Sequence, residues 1–329
     1  MEKTYLITGA TGSLGRKIIK YLLSEDKNNK VIAFSRDEAK HAKHFKNNKN
    51  IVSVIGDVRD YQKLQTTFFR HKPDYVIHTA ALKRVDDLEL YPDECMKTNI
   101  VGSENIARIS LESEVKKCIL ISTDKACLPV NVYGASKFIG ERTFTNYDYN
   151  SINTIFASVR YGNVIASRGS FIPLWKDLLL KKQEILITDE KMTRFLFTLD
   201  DAVKTVLNSL KLAEGGEVFV PLINSYRIVD VLKSLEQITN KKSKTKIIGM
   251  RPGEKLHEDM LAEIELNRTY KFEKENLLQI RPQYSNRDYK NLPKYDGNHL
   301  NSKLHVQEDI DAIKKIILKG LGEKDETIS

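Results

Sequence analysis

Residues 4–24 read TYLITGATGSLGRKIIKYLLS: a short apolar run, a glycine-rich turn, then an amphipathic helical pattern. That order constrains the fold more than any other feature. An apolar run without alternation belongs in a strand buried on both faces, and the helix must pack back over the sheet. The alternation continues. Candidate strands are TYLIT (4–8), KVIAFS (30–35), IVSVIG (51–56), DYVIHT (74–79), KKCILIS (116–122) and TIFASVR (154–160). Helical patterns lie between them, including 13–24 and 92–113. Right-handed crossovers then dictate an α/β fold, a doubly wound parallel sheet of the Rossmann type.

Beyond residue 162 the pattern turns irregular, punctuated by Pro173, Pro221 and Pro252, with short strands at 215–221 and 245–250. Residues 1–162 read as a dinucleotide-binding domain and 163–280 as mainly a smaller, discontinuous substrate-binding lobe. Residues 281–329 read as a C-terminal extension. In it, VQEDIDAIKKIILKGL (306–321) has helical period and should dock back, while the final EKDETIS should fray.

Composition narrows the function. The chain of 329 residues, 41% hydrophobic, can bury one large core or two unequal ones. A net charge of +9 comes without a basic-aromatic stripe, so a small polyanionic substrate is expected rather than nucleic acid. No apolar run approaches the roughly 20 residues of a membrane helix, and nothing resembles a signal peptide. Three cysteines without CxxC spacing suit a reducing, cytoplasmic setting and give no zinc site. His257-Glu258 does not extend to HExxH, so no metal is expected.

Gly9, Gly12 and Gly15, with Thr11, Ser13 and Leu14 between them, sit where a strand feeds a helix. That placement lets backbone approach a pyrophosphate and aims a helix N-terminus at its charge. The second strand ends in Ser35-Arg36. An arginine here can pair with a 2′-phosphate, which favours NADP over NAD, although Asp37 follows. Asp57 and Val58 follow the third strand, at the adenine. Ala80 and Lys83 follow the fourth, beside the cofactor. His78 reads as a hydrogen-bonded strand-end histidine rather than a catalytic one.

Tyr133 and Lys137 lie one helical turn apart and share a face. A nearby ammonium and an oxidised nicotinamide would favour the phenolate, the form that removes a hydroxyl proton. Lys137 can also hold the nicotinamide ribose.

The GxxGxxG spacing resembles the short-chain dehydrogenase/reductase family. The segments TGATGSLG, FSRDE, GDVRD, HTAALK, KTNIVGSENI, STDKA, YGASK, RYGNVIASRGS, MTRF and RPGEKLHE resemble its extended branch of UDP-N-acetylglucosamine 4,6-dehydratases. The resemblance runs from residue 8 to about residue 258. It implies an NADP-dependent hydro-lyase acting on UDP-N-acetylglucosamine. Tyr133 would take the O4 proton as C4 loses hydride. Lys125 would remove the C5 proton, Asp124 would protonate the departing C6 hydroxyl, and hydride would return to C6. Lys125 should then be pushed towards neutrality by Lys137, Lys83 and the nicotinamide, and Asp124 towards its acid form by desolvation. Both side chains reach one site only if the strand ends by Thr123. Asn163, Arg168, Arg194, Arg251 and Glu254, with Lys83, should line the substrate cleft, and Val164 should approach the nicotinamide. The tyrosine of YGASK favours inversion at C5, the type that begins pseudaminic-acid synthesis. The helices at 92–113 and 132–149 imply a homodimer or higher homo-oligomer. A UDP-hexosamine 4-epimerase and a non-catalytic NADP-sensing protein are the competing readings. The first needs no Asp124–Lys125 pair, and the second needs no Tyr133 or Lys137.

Overall fold

A computed structural model of the chain describes residues 3–46, 48–165, 167 and 169–322. Six strands fall on the six predicted runs: β1 Thr4–Thr8, β2 Lys30–Ser35, β3 Ile51–Ile55, β4 Tyr75–His78, β5 Lys117–Ile121 and β6 Ile155–Val159. They pair in parallel in the order β3-β2-β1-β4-β5-β6. The order reverses between β1 and β4, and the glycine loop leaves β1 beside that switch point, where open α/β sheets bind ligands. The sheet draws on both sides of residue 162. Val218–Pro221 joins β6 in parallel, and the hairpin Thr269–Phe272/Leu277–Ile280 closes that edge antiparallel.

Adjacent strand residues serve opposite faces, which explains the unbroken apolar runs. Ile7, Ile77 and Ile119 pack with Ile18, Ile19 and Leu22 of the helix Ser13–Glu25 and with Val203 and Val206 of Leu199–Leu212. Their neighbours Leu6, Val76 and Leu120 pack on the other face with Ile106 of Gly102–Glu112 and Phe144 of Val132–Tyr149.

The irregular half builds a second core around Trp175, Ile185, Val231 and Leu235. The C-terminal helix Ile310–Gly322 docks there through Ile313 and Ile317, as its periodicity required. Lys244–Ile247 pairs with Glu184–Ile187 in a small parallel sheet. The expected fraying of EKDETIS concerns residues 323–329, outside the described residues.

One element departs from its pattern. Residues 92–113 are not a single α-helix: Pro92–Cys95 leads into a π-helical turn, Met96–Val101, before Gly102–Glu112. The wider turn carries Asn99, whose side chain bonds the backbone of Leu82 at both its N–H and its carbonyl. Such insertions cluster at functional sites.

Candidate active site

The nucleotide end is built from close backbone contacts. Gly9 has φ +62°, and a Cβ there would lie 2.8 Å from Thr79 Oγ1. A Cβ on Gly15 would lie 2.7 Å from the Gly9 carbonyl oxygen. The loop thus tolerates only glycine at these points. Gly12 caps the helix Ser13–Glu25 without a side-chain bond, so no side chain competes for its leading N–H groups, and Leu14 in its first turn packs on the core. That arrangement fits a pyrophosphate. Thr11 accepts a hydrogen bond from Ser35 Oγ at 3.1 Å, tying the loop to the end of β2. Arg36 follows, exposed, with Nη1 3.5 Å from Asp57. Val58 is buried under Gly102, and Ala80 N–H donates to Thr8 Oγ1 at 3.2 Å. Lys83 is exposed on the following loop. His78 is fully buried between Thr8 at 2.7 Å and Ser103 at 3.1 Å. Burial pushes its imidazole down to about 3, so it stays neutral.

The residues expected to be catalytic come from two adjoining elements. β5 ends at Ile121, and Asp124–Ala126 form a single 3₁₀ turn capped by Thr123. The strand therefore ends before the acid and the amine, which removes the alternation that would have separated them. The helix Val132–Tyr149 starts on Asn131, whose side chain accepts from Gly134 N–H at 2.6 Å. A Cβ on Gly134 would collide with the Lys125 carbonyl, so glycine in YGASK lets the helix seat against the 3₁₀ turn. Tyr133 is thereby brought near enough to Lys125 and Asp124 to sense both charges. Lys137 is 3% exposed, one turn further along.

Three groups interlock at this turn. Lys125 Nζ lies 3.1 Å from Asp124 Oδ1 and 3.2 Å from Glu258 Oε1. Thr123 Oγ1 also donates to Asp124 Oδ1, at 2.9 Å. Asp124 Oδ2 and Glu258 Oε2 are buried without a hydrogen-bond partner.

The ionisation corrects the expectation for Lys125. Burial alone would push its ammonium down. The two carboxylates outweigh that, and it is held well above its ordinary value. Asp124 goes the expected way: burial raises it, Lys125 opposes, and Glu258 adds to the rise. The Tyr133 phenol is pushed up to about 12 by burial, against the pull of Lys125 and a Thr123 hydrogen bond. Lys125 thus supplies an ammonium that favours the phenolate, while the Asp124 charge opposes it. Burial lowers Lys137 itself to about 8, with Glu141 opposing.

The residues expected at the substrate are placed unevenly. Asn163 and Val164 form a short strand beside Leu196 and Phe197, and Asn163 Oδ1 is buried without a partner. Arg251 is half exposed, 2.9 Å from Asp86 and 2.5 Å from Glu254. Glu254 is lowered, because Arg251 outweighs the upward push of burial. Arg194 is buried, and its guanidinium donates to the carbonyls of Thr193, Lys255 and Leu256 at 2.7, 2.9 and 3.2 Å. It pins the loop that carries Glu258. Arg168 lies outside the described residues.

Sequence reasoning gave Thr123, Asn99 and Glu258 no role in the site, although each stands inside a quoted segment: Thr123 entered only as the strand end, and Glu258 only in a motif that did not extend to HExxH. Asn99 also donates to Ser136 Oγ at 3.0 Å, which ties the π-helical turn to the helix of Tyr133. A signal was available for Glu258: a carboxylate in the same matching segment as Arg251 and Glu254. Among the described residues, no group of three or more His, Cys, Asp or Glu could hold a metal ion.

Known proteins share this arrangement of chain and fold. A family model described as polysaccharide biosynthesis protein matches residues 5–279. A UDP-N-acetylglucosamine 4,6-dehydratase (inverting) of Campylobacter jejuni is 43% identical over 277 residues, 83% of this chain and 81% of that protein. A UDP-glucose 4-epimerase of Rickettsia bellii is 40% identical over 273 residues, 81% of this chain and 80% of that protein. The crystal structure of Pen from Bacillus thuringiensis superposes with a TM-score of 0.87 at 31% identity, over 96% of this chain and 98% of that one.

Proposed function

Because the chain belongs to the polysaccharide biosynthesis protein family, in its UDP-N-acetylglucosamine 4,6-dehydratase branch of the extended short-chain dehydrogenases, we propose that it is an NADP-dependent hydro-lyase. It converts UDP-N-acetylglucosamine into a UDP-4-keto-6-deoxy-N-acetylhexosamine, with inversion at C5, for surface-glycan synthesis. The observation that carries this reading is the buried contact of Asp124 with Lys125 beside Tyr133. A simple C4 oxidation has no use for an acid and an amine at that point.

When bound, the nicotinamide accepts hydride from C4 and returns it to C6. Tyr133 takes the O4 proton as phenolate, a form that Lys125 and a Thr123 hydrogen bond favour against the upward push of burial. Lys137 holds the nicotinamide ribose. The C4 ketone acidifies the C5 proton. Lys125 passes its own proton to a touching carboxylate and, as neutral amine, takes the proton from C5. Asp124, kept in its acid form by burial, delivers a proton to the departing C6 oxygen. Lys125 then gives the proton back to C5, and inversion requires the flattened intermediate to have turned its opposite face to the amine. Arg36 meets the 2′-phosphate of NADP by exchanging its contact with Asp57. Arg168, Arg251 and Glu254, together with Asn163, receive the UDP-sugar.

The enzyme works in the cytoplasm as a homodimer or larger homo-oligomer. No helix among the described residues is long and apolar enough to cross a membrane. Mass spectrometry after incubation with UDP-N-acetylglucosamine and NADP tests the reaction. A product lighter by one water is expected. An isomer of unchanged mass would instead favour a 4-epimerase, a reading the Rickettsia relative keeps open.

A further inference from the structure

The mechanism just described assigns roles to Asp124 and Lys125 and leaves the carboxylate that relieves Lys125 of its proton unnamed, and the amine is held by a third group. Glu258 Oε1 is 3.2 Å from Lys125 Nζ, and the Glu258 side chain is 2% exposed. A carboxylate buried that deeply is costly unless it is paired and held in place. Its backbone is clamped twice by the C-terminal extension: Glu258 N–H donates to Ser302 Oγ at 2.8 Å, and Ser302 N–H donates to the Glu258 carbonyl at 2.8 Å. Ser302 Oγ is in turn 2.6 Å from Thr193 Oγ1. Arg194 approaches Glu258 through Nε at 3.8 Å, while its other nitrogens serve backbone carbonyls.

The charges around the cluster do not balance one to one. Asp124 and Glu258 compete for one ammonium, Lys125, and the only further cation at ion-pair distance of Glu258 among the described residues is Arg194. Each carboxylate keeps one oxygen without a hydrogen-bond partner, Asp124 Oδ2 and Glu258 Oε2, and Asp124 has the Thr123 hydroxyl besides Lys125, but among the described residues Glu258 has two cations within ion-pair distance and Asp124 has one. When two carboxylates share one site and one counter-ion, the less well compensated one keeps a proton.

We propose that Glu258 is the positioning residue of the elimination centre: it serves as the counter-ion of Lys125, so that Asp124 is left holding the proton it will donate. Glu258 fixes the amine between two carboxylates. It is also the nearest acceptor, after Asp124, for the proton that Lys125 must shed. In that transfer one Nζ–H bond breaks and one Oε1–H bond forms, leaving a neutral amine and a neutral carboxylic acid. The proton returns to Lys125 once the amine has reprotonated C5. The inference rests on the dehydratase reading for its chemistry, but not for its ionisation.

Glu258→Gln and Glu258→Asp, each loaded with NADP, test it in two ways. Infrared difference spectra of the wild type against Asp124→Asn, without substrate, should show the C=O stretch of a protonated carboxyl at neutral pH. The same difference taken in the Glu258→Gln background should lack it. With UDP-N-acetylglucosamine, Glu258→Gln should still reduce the bound cofactor in a single turnover but release 4-keto-6-deoxy product about 100-fold more slowly. Its alkaline limb for water loss should move to lower pH, because Asp124 then gives up its proton more easily. Glu258→Asp should restore both the limb and most of the rate. Two results would overturn the proposal: an unchanged carboxyl band in Glu258→Gln, or equal loss of oxidation and elimination in both variants, which marks a merely structural residue. If the wild type shows the band but loses no water, the dehydratase reading fails while the ionic arrangement stands.

Discussion

Arg160→Met should destabilise the protein sharply at neutral pH and far less at pH 5. The Arg160 side chain is 1% exposed and grips two buried carboxylates at once, Glu141 at 3.2 and 2.7 Å and Glu265 at 2.9 and 3.3 Å. Methionine would leave Glu141 without its cation and Glu265 with only the more distant Arg268, at 3.7 Å. Ser122 Oγ and Ala262 N–H would still bind them, so the cheapest response is uptake of a proton. Protonating a carboxyl of ordinary value near 4.3 costs about 3.7 kcal/mol at pH 7 and about 1 kcal/mol at pH 5. A loss of about 4 kcal/mol at pH 7 is therefore expected, in line with the roughly 3–5 kcal/mol for breaking a buried pair. The direction follows from linkage. In the wild type burial pushes Glu265 up, but Arg160 and its other partners hold it below its ordinary value. Without Arg160 a carboxyl here would titrate above its unfolded value, so stability would be lost as pH rises through the folded one. Urea unfolding followed by circular dichroism at both pH values measures the effect. The triple variant R160M/E141Q/E265Q carries no buried charge at this point and should recover most of the loss. A cost below about 1 kcal/mol at pH 7, or the same cost at both pH values, would refute the reasoning.

Tyr133→Phe should lower turnover by about 10²–10⁴ while the protein still binds NADP, as read by steady-state rates and cofactor titration. Near-normal turnover would remove Tyr133 from proton transfer. Asp124→Asn and Lys125→Met should each permit C4 oxidation, visible as reduced cofactor in one turnover, but block water loss; full dehydratase activity in either would end their roles as acid and base. Arg36→Ser should weaken NADP more than NAD in a fluorescence titration, and equal affinities in the parent protein would already contradict the NADP preference.

The sheet was legible because its strands are buried on both faces. Leu6 and Ile7, or Ile119 and Leu120, pack into different cores, and that requirement writes itself into the sequence as an unbroken apolar run. The helix docked by Ile313 and Ile317 was legible from its period for the same reason. The π-helical turn at Met96–Val101 was not, because an extra residue in one turn barely disturbs an amphipathic pattern. The identities of Asp124, Lys125 and Tyr133 came from local motifs, and the 3₁₀ turn explains how two neighbours reach one site. Their ionisation could not be read locally. It depends on Glu258, held beneath the turn by Arg194 and Ser302 from other parts of the chain, and no spacing rule connects those positions. Likewise Arg160 ends an ordinary strand pattern, and nothing near it marks Glu141 and Glu265 as its partners.

The most direct measurement is NMR of the product formed from UDP-N-acetylglucosamine and NADP in deuterated water. The expected product has lost the C6 hydroxyl, carries one deuterium at C5, and shows the ring couplings of the inverted configuration. Interconversion with UDP-N-acetylgalactosamine, with no water lost and no deuterium at C5, would contradict the dehydratase and leave the Asp124–Lys125–Glu258 cluster without a reaction to serve.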